Sequence, residues 1–93
     1  MRLEQNEISA IKSAVFDFDD LAKVFLFGSR VDDHAKGGDI DVLVLSQAIS
    51  RREQIAIKRA IFDQIGEQKI DLIVESDLSQ PFTRLILEKA ILL

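Results

Sequence analysis

Two short stretches decide the fold of this 93-residue chain: LFGSR at residues 26–30 and GGDIDVLV at residues 37–44. The first closes an apolar run, Lys23–Phe27, and the second opens another, Ile40–Leu45. Runs of β-branched and aromatic residues bounded by glycine are typical of buried strands. The sequence therefore predicts two strands, one ending in a glycine–serine turn and the other beginning at a pair of aspartates.

Around these strands the sequence predicts a third strand at Ile70–Val74 and helices at residues 4–16, at 51–65 and from Ser79 onward. Ser50 and Gly66 are the expected ends of the second helix. Residues 28–39 hold either a short helix or only a loop. The side chains expected to face the core from the first and last helices are Ile8, Ile11, Val15, Phe18, Phe82, Leu85, Ile86 and Ala90.

The order of the elements predicts an α/β (α+β) fold with a small mixed sheet of about three strands packed with helices. A strand–helix–strand crossover connects the second and third strands, which are therefore expected to be parallel. An antiparallel first strand on the other side of the second would bring its glycine–serine turn to the same edge of the sheet. At this length, residues 1–93 are expected to form a single domain.

Composition excludes several function classes. The net charge of −4, from 16 acidic and 12 basic residues, is unfavourable for general nucleic-acid binding, because phosphate neutralisation supplies most of that affinity. The absence of cysteine excludes disulfides and thiolate metal sites. No apolar run spans a bilayer and the first residues do not resemble a signal peptide, so a cytoplasmic protein is expected. Neither a P-loop nor a dinucleotide-binding glycine motif is present.

Three aspartates carry the expected chemistry. Since side chains alternate along a strand, Asp39 and Asp41 are predicted on the same face of the sheet. Asp71 is the second residue of the third strand, so parallel pairing would place it beside them. Ionised carboxylates that close repel each other unless a cation or water lies between them, and Mg²⁺ prefers oxygen ligands. The arrangement predicts a site for two Mg²⁺ ions, with Asp71 also able to act as a general base.

The glycine–serine turn is expected to face this acidic site. Gly28 has no Cβ and permits close approach of a phosphate, while Ser29 offers an amide and a hydroxyl to phosphate oxygens. Arg30 has two open interpretations: it neutralises part of a triphosphate's charge, or it is a surface ion-pair partner of Asp32 or Asp33.

The pattern Gly-Ser, nine residues, Asp-apolar-Asp and a later strand aspartate resembles the polymerase β type nucleotidyltransferase superfamily. The short length is similar to that of its MNT (minimal nucleotidyltransferase) members, which form toxin–antitoxin pairs with HEPN-domain partners. The resemblance implies that Gly28, Ser29, Asp39, Asp41 and Asp71 bind nucleotide and metal. It also implies ATP as donor, Mg²⁺ as cofactor and adenylylation of a tyrosine on a HEPN partner.

The chain departs from the family pattern at two places. Val31-Asp32-Asp33 follows the Gly-Ser-Arg segment where many members have a small residue, an arginine and a glycine, and Gly38 stands where a polar residue is common. Both changes concern nucleotide affinity and neither removes a metal ligand.

Three functions remain open. A protein acceptor is favoured because so small a core has little surface for an acceptor-binding lobe. A binding module that neutralises its partner by occlusion is the main alternative, and transfer to a small molecule or an RNA end is a third possibility.

Overall fold

The fold was obtained as a computed structural model, which describes residues 1–35 and 37–93. Within these residues the elements are α1 (Gln5–Phe16), β1 (Lys23–Phe27), a 3₁₀ turn (Gly28–Val31), β2 (Ile40–Leu45), α2 (Arg51–Ile65), β3 (Ile70–Glu75), α3 (Pro81–Leu87) and β4 (Ile91–Leu92). The order confirms the predicted class, an α/β fold with a small mixed sheet. The segment after β1, which the sequence left open as helix or loop, begins with the 3₁₀ turn.

The two long helices begin where their side chains can satisfy free backbone amides. In α1, Glu4 and Glu7 form a capping box, each side chain accepting a hydrogen bond from the other residue's backbone amide. Ser50 and Glu53 do the same at the start of α2, and Gly66 ends that helix with a positive φ of 82°. The first four amides of a helix have no partner inside the helix, so these boxes fix where each helix starts.

The sheet has the predicted topology with one further strand. Its order is β3-β2-β1-β4. Strand β2 lies between an antiparallel β1 and a parallel β3. The two-residue β4 pairs antiparallel with the outer side of β1. The strand–helix–strand crossover and the antiparallel first strand are therefore as the sequence predicted.

The core lies between one face of the sheet and the helices α1 and α2. Alternate residues of β1 and β2, such as Leu26 and Val42, are fully buried in one cluster with Ile11 of α1 and Ile57 of α2. Asp41 points to the opposite face, because it alternates with Ile40 and Val42 along β2. Helices α1 and α2 therefore cover the face that carries no aspartate, and on the other face Leu43 of β2 is buried as well, while Asp41 is half-buried.

The second helix offers a matched pair for testing this core. Ile57 is 0% exposed and Ile55 is 68% exposed. We expect Ile57→Ala to lower the free energy of unfolding by about 2–5 kcal/mol, since it removes buried methyl groups and leaves a cavity. Ile55→Ala should change it by no more than about 0.5 kcal/mol. Urea denaturation of both variants measures the difference, and equal losses would contradict the assignment of the core.

The C-terminal region differs from the expectation. The last helix ends at Leu87, so Ala90 lies outside it, and residues 91–92 form β4. The backbone amide of Leu93 donates to the carbonyl of Val24, which continues this edge pairing. Helical spacing of apolar residues cannot distinguish a long helix from a short one followed by an edge strand.

Three residues expected in the core are partly exposed. Phe18 lies beyond the end of α1 and is 43% exposed, while Phe82 and Leu85 on α3 are 59% and 63% exposed. The short α3 packs only partly on the sheet, so these side chains remain at the surface. Among the described residues, no helix is both long enough and apolar enough to cross a membrane.

Candidate active site

The predicted acids meet at one edge of the sheet. In the antiparallel β1–β2 pair Phe27 lies opposite Asp41, and in the parallel β2–β3 pair Asp41 lies opposite Asp71. Neighbouring strands are about 4.8 Å apart, and registered residues point to the same face. Asp39 precedes Asp41 by two residues. The structure therefore brings the ends of three strands together, with Asp41 and Asp71 side by side on the same face.

The electrostatics of Asp41 reflect this crowding. Burial raises the pKa of Asp41 above its ordinary value of 3.8, and the charge of Asp71, a hydrogen bond with the Asp71 carboxyl and the charge of Asp39 raise it further. Asp71, by contrast, is exposed. Strand β3 lies at the edge of the sheet, with β2 as its only neighbour among the described strands. The carboxylates of Asp41 and Asp71 lie close to each other, so their repulsion favours the binding of a proton or a cation.

The raised pKa of Asp41 predicts a pH dependence of stability. Between pH 3.8 and the raised pKa the folded chain binds more protons than the unfolded chain, so the free energy of unfolding falls as pH rises through that window. We expect Asp41→Asn to be more stable than the wild type at pH 7 and to lose this advantage below pH 3.8. Urea denaturation at pH 3.5 and pH 7 measures it, with Glu75→Gln on β3 as a control. An Asp41→Asn variant with the wild-type pH dependence would contradict the prediction.

Asp39 faces a cation of its own chain. Its Oδ2 lies 3.8 Å from Nζ of Lys69, and its side chain is 35% exposed. Lys69 immediately precedes β3, and its backbone carbonyl accepts a hydrogen bond from the amide of Ile40. The pairing of β2 with β3 thus places an ammonium group beside the third acid. Sequence reasoning missed Lys69, because only the strand register brings it there.

Gly28 lies directly against the side chain of Asp41. Its φ is +76°, a conformation that residues with a side chain rarely adopt, and a Cβ at this position would overlap Oδ2 of Asp41. The turn after β1 therefore contacts the carboxylate of β2 directly. This contact requires glycine on both conformational and steric grounds.

Gly38 explains one departure from the family pattern. Its φ is +91°, and a Cβ there would overlap the hydroxyl oxygen of Ser29. The Ser29 side chain thus occupies the space that a polar residue at position 38 would need. Ser29 is exposed, and its hydroxyl lies between the 3₁₀ turn and the segment that leads into Asp39.

The side chain of Arg30 donates hydrogen bonds to backbone carbonyls near the site. Its Nε donates to the carbonyl of Gly38 at 3.3 Å and its guanidinium also donates to the carbonyl of Arg2 at 3.0 Å. Among the described residues it makes no ion pair, so the interpretation as a surface partner of Asp32 or Asp33 was wrong. Arg30 joins the two glycine-containing segments of the site, and its role toward a triphosphate stays a prediction.

Arg2 also forms hydrogen bonds with backbone carbonyls of the 3₁₀ turn and of the residue that follows it. Its side chain donates to the carbonyls of Ser29 and Asp32, both at 2.9 Å, and its amide donates to the carbonyl of Arg30 at 2.7 Å. Sequence reasoning missed Arg2, since no motif marks an arginine so far from the turn in sequence.

The two acids that follow Arg30 have different surroundings. Asp33 pairs with the N-terminal ammonium of Met1, which lowers the pKa of Asp33. Asp32 accepts a hydrogen bond from the backbone amide of His34 at 2.8 Å. Both are exposed. Asp33 is therefore paired with a cation of its own chain, whereas Asp32 forms no ion pair with another residue that the structure describes.

The donor set fits a hard divalent cation only in part. Carboxylate oxygens are the ligands that Mg²⁺ prefers, and the adjacent Asp41 and Asp71 form a suitable pair. Within residues 1–35 and 37–93, however, no three Asp, Glu or His side chains are already arranged around a common metal position. The third expected ligand, Asp39, is the one that faces Lys69.

A cavity also lies away from these acids. Its volume is about 550 Å³, and it is bordered by Lys23, Leu45 and Ser46 at the opposite end of β1 and β2. None of the predicted site residues borders it. Cavity size is a weaker guide here than chemistry, because the converging acids mark the other edge of the sheet.

Comparison with known proteins agrees with this geometry. The family model described as Polymerase beta, Nucleotidyltransferase matches residues 9–93, which is all but the first eight residues of the chain. No curated protein matches the chain. A match of this extent, with the family's glycine–serine turn and strand aspartates at one edge of the sheet, establishes that the chain belongs to the polymerase beta nucleotidyltransferase family, whose activity is nucleotidyl transfer.

Proposed function

We propose that this protein transfers AMP from ATP to a hydroxyl group of a protein acceptor, using Mg²⁺ held by Asp39, Asp41 and Asp71. The observation that carries the proposal is the register of β2 and β3, which sets Asp41 and Asp71 side by side on one face of the sheet. Family membership supports the class of reaction. Donor, metal and acceptor are proposed on the resemblance to minimal nucleotidyltransferases and on the carboxylate chemistry.

The proposed roles of the acids follow from their exposure. Asp41 is half-buried, whereas Asp71 is exposed at the edge strand, where an acceptor can reach it. Asp71 accepts the proton of the acceptor hydroxyl, whose oxygen forms a bond to the α-phosphorus. The bond from that phosphorus to the bridging oxygen of the β-phosphate breaks, and pyrophosphate leaves. Bound Mg²⁺, with two ions as the expected number, supplies neutralisation of the phosphate charge.

The turn after β1 is proposed to hold the triphosphate. Gly28 gives the phosphates access beside Asp41, and Ser29 offers its exposed hydroxyl and amide. Arg30 is proposed to contribute positive charge and, through its bond to Gly38, to hold the Ser29 and Asp39 segments together. Arg30 is in this second respect a positioning residue.

The acceptor is proposed to be a HEPN-domain partner in a cytoplasmic toxin–antitoxin pair. Asp71 is exposed on the edge strand β3, where a protein acceptor could reach it and supply much of its own contact surface. Nucleic acid would then be reached only through the partner, since the net charge of −4 is unfavourable for binding it directly.

A second candidate is a non-catalytic antitoxin that neutralises its partner by occlusion. Two observations favour it: Asp39 faces Lys69, and no complete three-residue metal site is arranged among the described residues. Asp32 adds an acid beside the turn that is proposed to hold phosphates.

Labelled ATP distinguishes the two candidates. The protein is incubated with Mg²⁺, its co-purified HEPN partner and ATP labelled either on the α-phosphate or on the γ-phosphate. The enzyme proposal expects the α-label, and not the γ-label, on the partner. A stable complex with no labelled partner would support occlusion, and label on RNA or a small molecule would redirect the assignment of the acceptor.

A further inference from the structure

The outer side of α2 carries a sequence repeat that the proposed function does not use. Six residues on this side form three rows, each of two residues seven positions apart: Ile55 with Phe62, Arg51 with Lys58, and Arg52 with Arg59. We call these six residues the α2 stripe. A spacing of seven is the repeat that two helices share when they pack lengthwise against each other.

The apolar row of the α2 stripe lies between its two basic rows. A helix turns by about 100° per residue, so residues three or four positions from Ile55 lie within about 60° of it around the axis. Arg51 and Lys58 lie on one side of Ile55. Arg52 and Arg59 lie on the other side. The result is an apolar seam with a row of cations along each border.

The α2 stripe points away from the core. Ile57 and Ile61 of the same helix are fully buried and face the sheet. Ile55 and the three arginines of the stripe are exposed, and its other two members are half-buried. Because α2 packs on the face of the sheet that carries no aspartate, a partner bound to the stripe would not contact Asp41.

The charge of the α2 stripe is unbalanced. Four of its six residues are basic, and none of the four forms an ion pair with another residue that the structure describes. The chain as a whole has a net charge of −4, so this positive surface contrasts with the rest of the protein. Two copies of the stripe would repel each other, which disfavours a second copy of this chain as the occupant.

The apolar row favours a protein partner over a nucleic acid. A phosphate backbone is attracted by cations but gains little from Ile55 and Phe62, whereas an amphipathic helix buries its own apolar residues against them. A cavity of about 350 Å³ is bordered by both of these residues and by Lys58 and Arg59. The seam therefore offers space for a side chain of a bound helix.

We propose that the α2 stripe binds an acidic amphipathic helix of a partner protein, which packs lengthwise along α2. Apolar residues of that helix at heptad spacing pack on Ile55 and Phe62, and its flanking Asp or Glu residues face the two basic rows. The 15 residues of α2 span about 22 Å, which accommodates two heptads. The stripe is separate from the acidic site, so the inference does not depend on nucleotide transfer.

Fluorescence anisotropy with a designed peptide tests the inference. The probe is a labelled helical peptide of about three heptads, with Leu at the apolar positions and Glu at the flanking positions, whose mutual repulsion disfavours self-pairing. A peptide of the same composition in scrambled order has the same charge without the heptad spacing. We expect the wild type to bind the ordered peptide about tenfold more tightly than the scrambled one.

Reversal of one basic row tests the charge complementarity. The double variant Arg52→Glu/Arg59→Glu should bind the acidic peptide about tenfold more weakly than the wild type. It should instead bind a second peptide in which Lys replaces the Glu row that faces these positions. Because an unfolded protein would bind neither peptide specifically, this exchange of preference distinguishes a lost contact from a lost fold.

Alanine variants test the apolar row. Ile55→Ala should weaken binding of the acidic peptide about tenfold, because it removes most of an apolar side chain that the bound helix would bury. Leu21→Ala is the matched control: Leu21 is also exposed but lies before β1, and its loss should not change the affinity.

Three results would overturn the inference. The first is no detectable binding of the ordered peptide by the wild type, and the second is equal affinity for the ordered and scrambled peptides. The third is tighter binding of a single-stranded oligouridine of matched negative charge than of the acidic peptide, which would assign the α2 stripe to nucleic acid instead.

Discussion

Replacing Asp71 by Asn is expected to lower the rate of nucleotide transfer by about 10²–10⁴-fold, the range of a positioned general base. Asn has nearly the same shape but accepts no proton at neutral pH. Because Asp71 is exposed on an edge strand, the substitution should leave the fold intact. Single-turnover transfer of labelled AMP to the partner, with thermal unfolding measured in parallel, gives both values.

Glu75→Gln is the matched control for this loss. Glu75 ends the same strand, points to the same face as Asp71 and pairs with Leu45 at the other end of the sheet. The same change of charge there should leave transfer unchanged. If the Asp71→Asn and Glu75→Gln variants had equal activity, the position of Asp71 would have no specific effect on transfer. That result would contradict the role of Asp71 as general base.

Gly28→Ala is expected to lower the rate of transfer by about 10²-fold and to destabilise the fold. The φ of +76° costs an alanine about 1–2 kcal/mol, and its Cβ would also overlap Oδ2 of Asp41. Relief of the overlap requires movement of either the turn or the Asp41 carboxylate, and each movement separates the proposed phosphate site from the metal ligands. Displacements of about 1 Å at a catalytic group can cost about 10²-fold in rate.

The Gly66→Ala variant separates the conformational cost of alanine at a positive φ from the steric overlap with Asp41. Gly66 has a φ of +82°, and a Cβ there would meet nothing within 4 Å. Its alanine variant should share the conformational cost, seen as a lower melting temperature, but retain transfer. If both variants lost activity in proportion to stability, the contact between Gly28 and Asp41 would have no specific role.

The convergence of the acids was predictable from the sequence. Alternation along a strand predicted Asp39 and Asp41 on one face, although β2 begins only after Asp39, at Ile40. The crossover helix between β2 and β3 required parallel pairing. Parallel pairing in turn placed Asp71 beside Asp41, as the register has it. These relations depend on periodicity and connection length, which a sequence displays directly.

Other features could not be predicted because they depend on three-dimensional register or on few residues. The two-residue β4 is too short for a periodic pattern, and its apolar residues extend the spacing of α3. Arg2 reaches the 3₁₀ turn from the start of the chain, and Lys69 reaches Asp39 through strand pairing. The exposure of Asp71 also follows from β3 lying at an edge, which the apolar composition of the strand does not reveal.

Binding of Mn²⁺, followed by electron paramagnetic resonance with a non-hydrolysable ATP analogue present, tests the central claim most directly. Mn²⁺ prefers the same oxygen ligands as Mg²⁺. The proposal predicts saturable binding by the wild type and by Glu75→Gln, and its loss in Asp41→Asn. Equal Mn²⁺ affinity in all three proteins would contradict a metal site at the side-by-side aspartates of β2 and β3.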